Sequence, residues 1–161
     1  MILHPFPPLC DKNSRILILG SFPSVRSREE MFFYGHPQNR FWRVISSVLG
    51  EELPRTVEEK REMLLRRKIA LWDVIGSCDI QGSADSTIKN ASPNNLAPIF
   101  ETADIRAVFV NGKTALRYYN LYQHPLCGRE AVCLLSTSPA NAAFGLEQLV
   151  QSWSAILEYL K

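Results

Sequence analysis

The chain has 161 residues, 46% of them hydrophobic and 21% charged, with a formal net charge of +2 and a pI near 8.4. That length suits one domain with a real core and excludes a second, while the mildly basic balance permits a polyanionic partner without demanding one. No apolar run approaches the ~18 residues of a membrane span and the first residues lack a basic, apolar leader, so a cytoplasmic protein away from the membrane is expected.

Residues 1–14 are rich in proline and close on the turn signal Asp11-Lys-Asn-Ser14, which reads as an ordered arm. Ile16-Leu-Ile-Leu19 is an unbroken apolar run stopped by Gly20, the pattern of a buried parallel strand. A polar, aromatic loop runs from Phe22 to Gln38. The next segment, Asn39 to Leu49, places Phe41, Trp42, Val44, Ile45, Val48 and Leu49 on one helical face and ends at Gly50. Thr56-Val-Glu-Glu59 has the spacing of a capping box and opens a charged surface helix reaching Lys68. Ile69 to Ile75, closed by Gly76, predicts a second strand.

Residues 78–93 are polar and long for a loop in so small a domain, and loops of that length are usually functional or poorly ordered. Ser92-Pro93 reads as N-cap and first residue of a helix reaching about Thr102. Ile105 to Val110 predicts a third strand, stopping at Asn111-Gly112 before a helix over 113–121. Ala131 to Leu135 predicts the fourth, stopping at Ser136-Thr-Ser-Pro-Ala-Asn141. Leu146, Leu149, Val150, Trp153, Ile156, Leu157 and Leu160 then recur at helical spacing.

This alternation predicts an α/β fold: one domain over 1–161, three-layered α/β/α, with a central four-stranded parallel sheet. Parallel strands point the same way, so the polar ends after Leu19, Val110 and Leu135 gather at one rim and share a crevice. That rim holds amides, hydroxyls and small residues with no carboxylate pair, which suits neutral hydrogen bonding to a heterocycle and phosphates more than sugar hydrolysis by two carboxyl groups. Asp73, ending the second strand, and Asp85, in the polar loop, are the carboxylates nearest the rim; Asp85 reads as a turn or cap residue. No Gly-x-Ser-x-Gly elbow, P-loop or dinucleotide fingerprint occurs. Cys10, Cys78, Cys127 and Cys133 are scattered without a Cys-x-x-Cys pair, so neither a disulfide framework nor a metal centre is expected.

Gly20-Ser-Phe-Pro-Ser24 followed by Phe33-Tyr-Gly-His-Pro-Gln-Asn39-Arg-Phe-Trp42 resembles the first motif of the uracil-DNA glycosylase superfamily, most closely its hypoxanthine (deoxyinosine) branch. Ser136-Thr-Ser-Pro-Ala-Asn141 is similar to that superfamily's His-Pro-Ser-Pro type motif. The resemblance implies a monofunctional DNA N-glycosylase of base excision repair. Such an enzyme flips a deaminated base out of double- or single-stranded DNA, hydrolyses its glycosidic bond and leaves an abasic site. Hypoxanthine is the implied first substrate and uracil the second, with a monomer and no cofactor.

Carried over position by position, the resemblance makes Asn39 the catalytic residue, orienting water and stabilising an oxocarbenium-like transition state. The rival task for Asn39 is to cap the helix that begins there. Tyr34 falls where a ring stacks on the flipped base, Asn111 where a side chain reads its edge, and Phe22 beside them in the base pocket. Phe22 also occupies the place at which the mismatch-specific uracil branch carries a water-positioning Asn. Ser138 matches the phosphate-binding serine, with Ser21, Ser24, Asn141 and Arg40 as further phosphate contacts and Ala142 to Phe144 as the intrusion loop. His36 is an auxiliary candidate for water or phosphate, and Arg26, Arg28 and Arg43 are candidates for the DNA backbone. The alternatives are a mismatch-specific uracil-DNA glycosylase, a non-catalytic reader of damaged DNA, which Phe22 keeps open, and a small-nucleotide enzyme using the same crevice.

Overall fold

A computed structural model describes residues 1–161. In chain order its elements are β1 (Ile2–Leu3), β2 (Ile16–Gly20), α1 (Val25–Glu30), α2 (Phe41–Leu49), α3 (Val57–Arg66), β3 (Ile69–Asp73) and β4 (Ile75–Asp79). They continue as β5 (Lys89–Pro93), α4 (Ala97–Thr102), β6 (Ala107–Asn111), α5 (Lys113–Tyr118), α6 (His124–Cys127), β7 (Ala131–Leu134) and α7 (Leu146–Trp153), closed by a 3-10 turn over Ser154–Leu160.

β2 is buried at every position because it lies inside the sheet β3-β2-β6-β7, whose neighbours all pair parallel. Side chains alternate across a strand. Ile16 and Ile18 therefore enter the cluster under α2, α3 and α7, while Leu17 and Leu19 enter the one under α4 and α5. The expected three-layer α/β/α fold with four parallel strands is the fold observed. No helix is long and apolar enough to cross a membrane.

The N-terminal arm is ordered as expected, with β1 antiparallel to β4 and Leu9 bridging to Leu71. Four local readings are corrected. The run from Ile69 to Ile75 is not one strand: the Val74 N–H donates to the Gly20 carbonyl (2.8 Å) and the Ile75 N–H to that of Ser21 (3.1 Å). These bonds fold the chain across the tip of β2 and out of the parallel sheet, and Gly76 sits within the new strand β4 instead of ending the old one. Its missing side chain has a reason, since a Cβ there would lie 2.8 Å from Asn94 Oδ1.

The long polar segment is largely structured, holding the end of β4, a 3-10 turn at Asp85–Thr87 and β5. Ser92 and Pro93 are strand residues, tolerated because β5 is the edge of the small sheet β1-β4-β5, and α4 starts later with Pro98 in its first turn. The helix foreseen over 113–121 widens after Tyr118 into a π turn, Tyr119–Gln123. That turn aims the buried Gln123 amide at the carbonyls of Val74 (3.0 Å) and Asn94 (2.8 Å).

The capping box of α3 is present: Thr56 Oγ1 accepts from the Glu59 N–H at 3.1 Å and Glu59 Oε1 from the Thr56 N–H at 3.3 Å. Thr56→Ala should cost about 1 kcal/mol, read as a lower urea midpoint with an unchanged slope.

Candidate active site

β2, β3, β6 and β7 deliver their carboxyl ends to one rim, and the chain runs from β2 to β3 on one side and places β6 on the other. Such a switch point opens a crevice between the diverging loops. A cleft of about 890 Å³ lies there. Ser21, Phe22, Ser24, Tyr34, His36, Asn39, Asn111, Ser138 and Asn141 all line it, so the segments expected to meet do meet. Gly20 forms its floor: a Cβ at this position would stand 2.5 Å from Asp73 Oδ1 and 3.0 Å from Tyr34 Oη.

A hydrogen-bonded chain joins three of the lining segments. The Phe41 N–H donates to Asn39 Oδ1 (2.9 Å), which fixes the orientation of that amide, and Thr137 Oγ1–H donates to the same oxygen (2.8 Å). Thr137 Oγ1 in turn accepts from Asn111 Nδ2 (2.9 Å), while the Thr137 N–H donates to Asn111 Oδ1 (3.0 Å). Asn111 gives its other Nδ2 hydrogen to Tyr34 Oη at 3.2 Å. Both hydrogens of Asn111 are therefore committed within the protein. Asn39 differs, because its oxygen is used twice and its Nδ2 has no protein partner. It lies one residue before Arg40, the N-cap of α2, where its oxygen takes the first helical N–H and its nitrogen presents a donor to the cleft.

Tyr34 is held in the left-handed region (φ 53°) with its ring stacked on Phe41, centroids 4.1 Å apart at 14°. Burial pushes its hydroxyl pKa up, with Asp73 adding to the effect, so the phenol keeps its proton and remains a donor. Phe22 is buried, edge-on to His4 with centroids 6.0 Å apart.

The expectation of a rim with no carboxylate pair is corrected, since Asp73 and Asp85, the carboxylates read as nearest to it, both line the cleft. The Asp85 carbonyl does close a turn with the Ile88 N–H (3.1 Å), but its side chain reaches across to accept from Ser21 Oγ at 2.8 Å. Burial raises its carboxyl pKa most, the Ser21 hydroxyl pulls it back, and Asp73 raises it further. Asp73 Oδ2 faces His4 Nε2 at 2.7 Å, with both side chains almost wholly buried. No sequence signal marks His4, whose arm is brought to β3 by the pairing of β1 with β4. The signal for Asp85 was the length of its loop.

The phosphate candidates make local bonds. Ser24 caps α1 by accepting from the Ser27 N–H at 3.2 Å. Ser138 Oγ accepts from the Ala140 N–H (3.2 Å), and Asn141 Nδ2 donates to the Ser136 carbonyl (3.0 Å). His36 Nδ1 accepts from the Gln38 N–H at 3.1 Å. Arg40 lies outside the lining, and its guanidinium donates to the carbonyls of Phe144 (2.6 Å) and Asn141 (2.9 Å), buttressing the 141–144 turn. Arg26 pairs with Glu30 and Arg28 donates to the Gly82 carbonyl, whereas Arg43 is exposed with no bonded partner. Lys113, which the sequence reading passed over, lines the cleft and forms no ion pair.

Residues 7–161 match the profile of the Uracil DNA glycosylase superfamily. The chain is 39% identical over 138 residues to the hypoxanthine DNA glycosylase of Methanosarcina barkeri, covering 84% of this chain and 86% of that one. Over 161 residues it is 35% identical to the hypoxanthine DNA glycosylase of Methanosarcina acetivorans, covering 99% and 100%. The solution NMR structure of a Methanosarcina acetivorans protein, described as a candidate uracil DNA glycosylase, superposes with a TM-score of 0.83 at 34% identity, over 99% of each chain.

Proposed function

The chain belongs to the uracil DNA glycosylase superfamily and is a DNA N-glycosylase, and from that premise we propose that it excises deaminated bases, hypoxanthine first and uracil second. The relatives that carry the name hypoxanthine DNA glycosylase support hypoxanthine as a substrate. The observation that carries the catalytic part is the free Nδ2 of Asn39 at the cleft. Its oxygen is already taken by Phe41 and Thr137, so what it offers a bound nucleotide is a neutral, prepositioned donor. Such a donor stabilises charge developing on the departing base without reorganisation.

The base must leave the stack to be reached, and a mispaired or damaged base costs less to extract. Tyr34, backed by Phe41, gives the extruded ring an aromatic neighbour. Lys113, Ser138 and the turn braced by Arg40 take the flanking phosphates, and the reading includes a cytoplasmic monomer. Lys113→Ala is expected to weaken DNA binding uniformly across sequences and to reduce the magnitude of the log K against log salt slope by about 1. Titrations at several salt concentrations check it.

The direct test is a panel of oligonucleotides, single- and double-stranded, bearing inosine, uracil, xanthine or no lesion. Release of hypoxanthine with an intact abasic strand is the expected result. Release of uracil alone would reject the substrate assignment, and binding without release from any lesion would make the protein a reader.

A further inference from the structure

We propose that Asp85 is the general acid of this cleft, delivering a proton to the departing purine. The inference deepens the glycosylase reading and rests on it. Its basis is the unequal placing of two carboxyl groups at one site. Asp73 is matched to His4 at 2.7 Å, whereas Asp85 has no cationic partner and accepts only from Ser21 Oγ, through Oδ2. Its Oδ1 has no protein donor, and the residue lines the same cleft as Asn39 and Tyr34. A largely buried carboxyl group with no cation beside it is suited to carrying a proton.

The groups around Asp85 favour the protonated form. Asp73 raises its pKa, burial acts in the same direction, and only the Ser21 hydroxyl opposes them. Tyr34 and Cys78 both feel the charge of Asp85 and are themselves held neutral by burial. Arg28, a cation of α1, is anchored on the Gly82 carbonyl at 2.7 Å.

The chemistry explains why a purine calls for such a group. When the C1′–N9 bond breaks, the bonding pair goes to the base, and a proton from Asp85 to a ring nitrogen lets hypoxanthine leave neutral. Water adds to C1′ and gives its proton to solvent, and Asp85 is reprotonated from solvent once the base has gone. Uracil, departing as an anion held by neutral donors, has less need of this step.

The test is single-turnover release from inosine and uracil oligonucleotides across pH, with Asp85→Asn and Asp85→Glu beside wild type. For inosine, wild type should slow as pH rises through the raised Asp85 pKa. Asp85→Asn should be slower by on the order of 10²-fold at low pH and lack that limb, with a smaller loss on uracil. Asp85→Glu should keep the limb. Because a carboxyl whose folded pKa is raised lowers stability as pH rises through it, Asp85→Asn should melt no lower than wild type at neutral pH. An unchanged rate and profile in Asp85→Asn, an equal loss on both bases with the limb retained, or a rate that rises through the pKa would overturn the assignment. Should Asp85→Asn fail to fold, loss of the limb in Asp85→Glu overturns it instead. Wild type that releases no base from any lesion defeats the glycosylase reading, a distinct failure from wild type that releases hypoxanthine and is indifferent to Asp85.

Discussion

Asn39→Ala should slow base release by on the order of 10²-fold, about 2.7 kcal/mol of transition-state stabilisation, the effect of losing one prepositioned donor. Alanine also removes the acceptor of the Phe41 N–H and of Thr137, so it will lower stability by about 1 kcal/mol as a lost cap does. The two roles separate in Asn39→Asp. A carboxylate keeps both accepted bonds and caps a helix as well as an amide, but it replaces the N–H₂ facing the cleft with an oxygen. We expect Asn39→Asp to hold the wild-type denaturation midpoint within a few tenths of a kcal/mol and to lose release as severely as alanine. Near-wild-type release by the aspartate variant would mean that the donor does nothing and that Asn39 is a cap.

Much of this arrangement was legible because it depends on local pattern. Ile16-Leu-Ile-Leu19, stopped by Gly20, reads as a strand buried on both faces, and the parallel order puts Gly20, Asn111 and Ser136 at one rim. What the sequence hid depends on contacts distant along the chain. The bend at Val74 is set by two bonds to the tip of β2, and nothing in Trp72-Asp-Val-Ile75 announces them. Asp85 looks like a turn residue because it is one; its side chain becomes a cleft residue only when the β4–β5 hairpin folds over Ser21, a partner 64 positions away. His4 meets Asp73 across 69 residues. Asn39 was ambiguous between a helix-start residue and a catalyst for a physical reason, since one amide takes the first helical N–H with its oxygen and leaves its nitrogen free as a donor.

Thr137→Val should be the most costly change of a single oxygen atom in the cleft. Thr137 is fully buried, and valine preserves its shape, so no cavity forms and the loss is one of hydrogen bonding. Asn111 Nδ2 loses an acceptor and Asn39 Oδ1 one of its two donors; Asn39 Oδ1 keeps the Phe41 N–H, so the stranded N–H of Asn111 sets the loss, about 1–3 kcal/mol. Thr137→Ser, which restores the hydroxyl, should recover most of it. Because Asn39 and Asn111 are linked through this oxygen, the loss on Thr137→Val must shrink in an Asn111→Ala background, where the stranded amide is already gone. A double-mutant cycle read by urea denaturation should give a coupling above about 0.5 kcal/mol. Strict additivity would show that the chain from Phe41 to Tyr34 is a set of independent bonds, and Asn39 would then owe its orientation to the helix N–H alone.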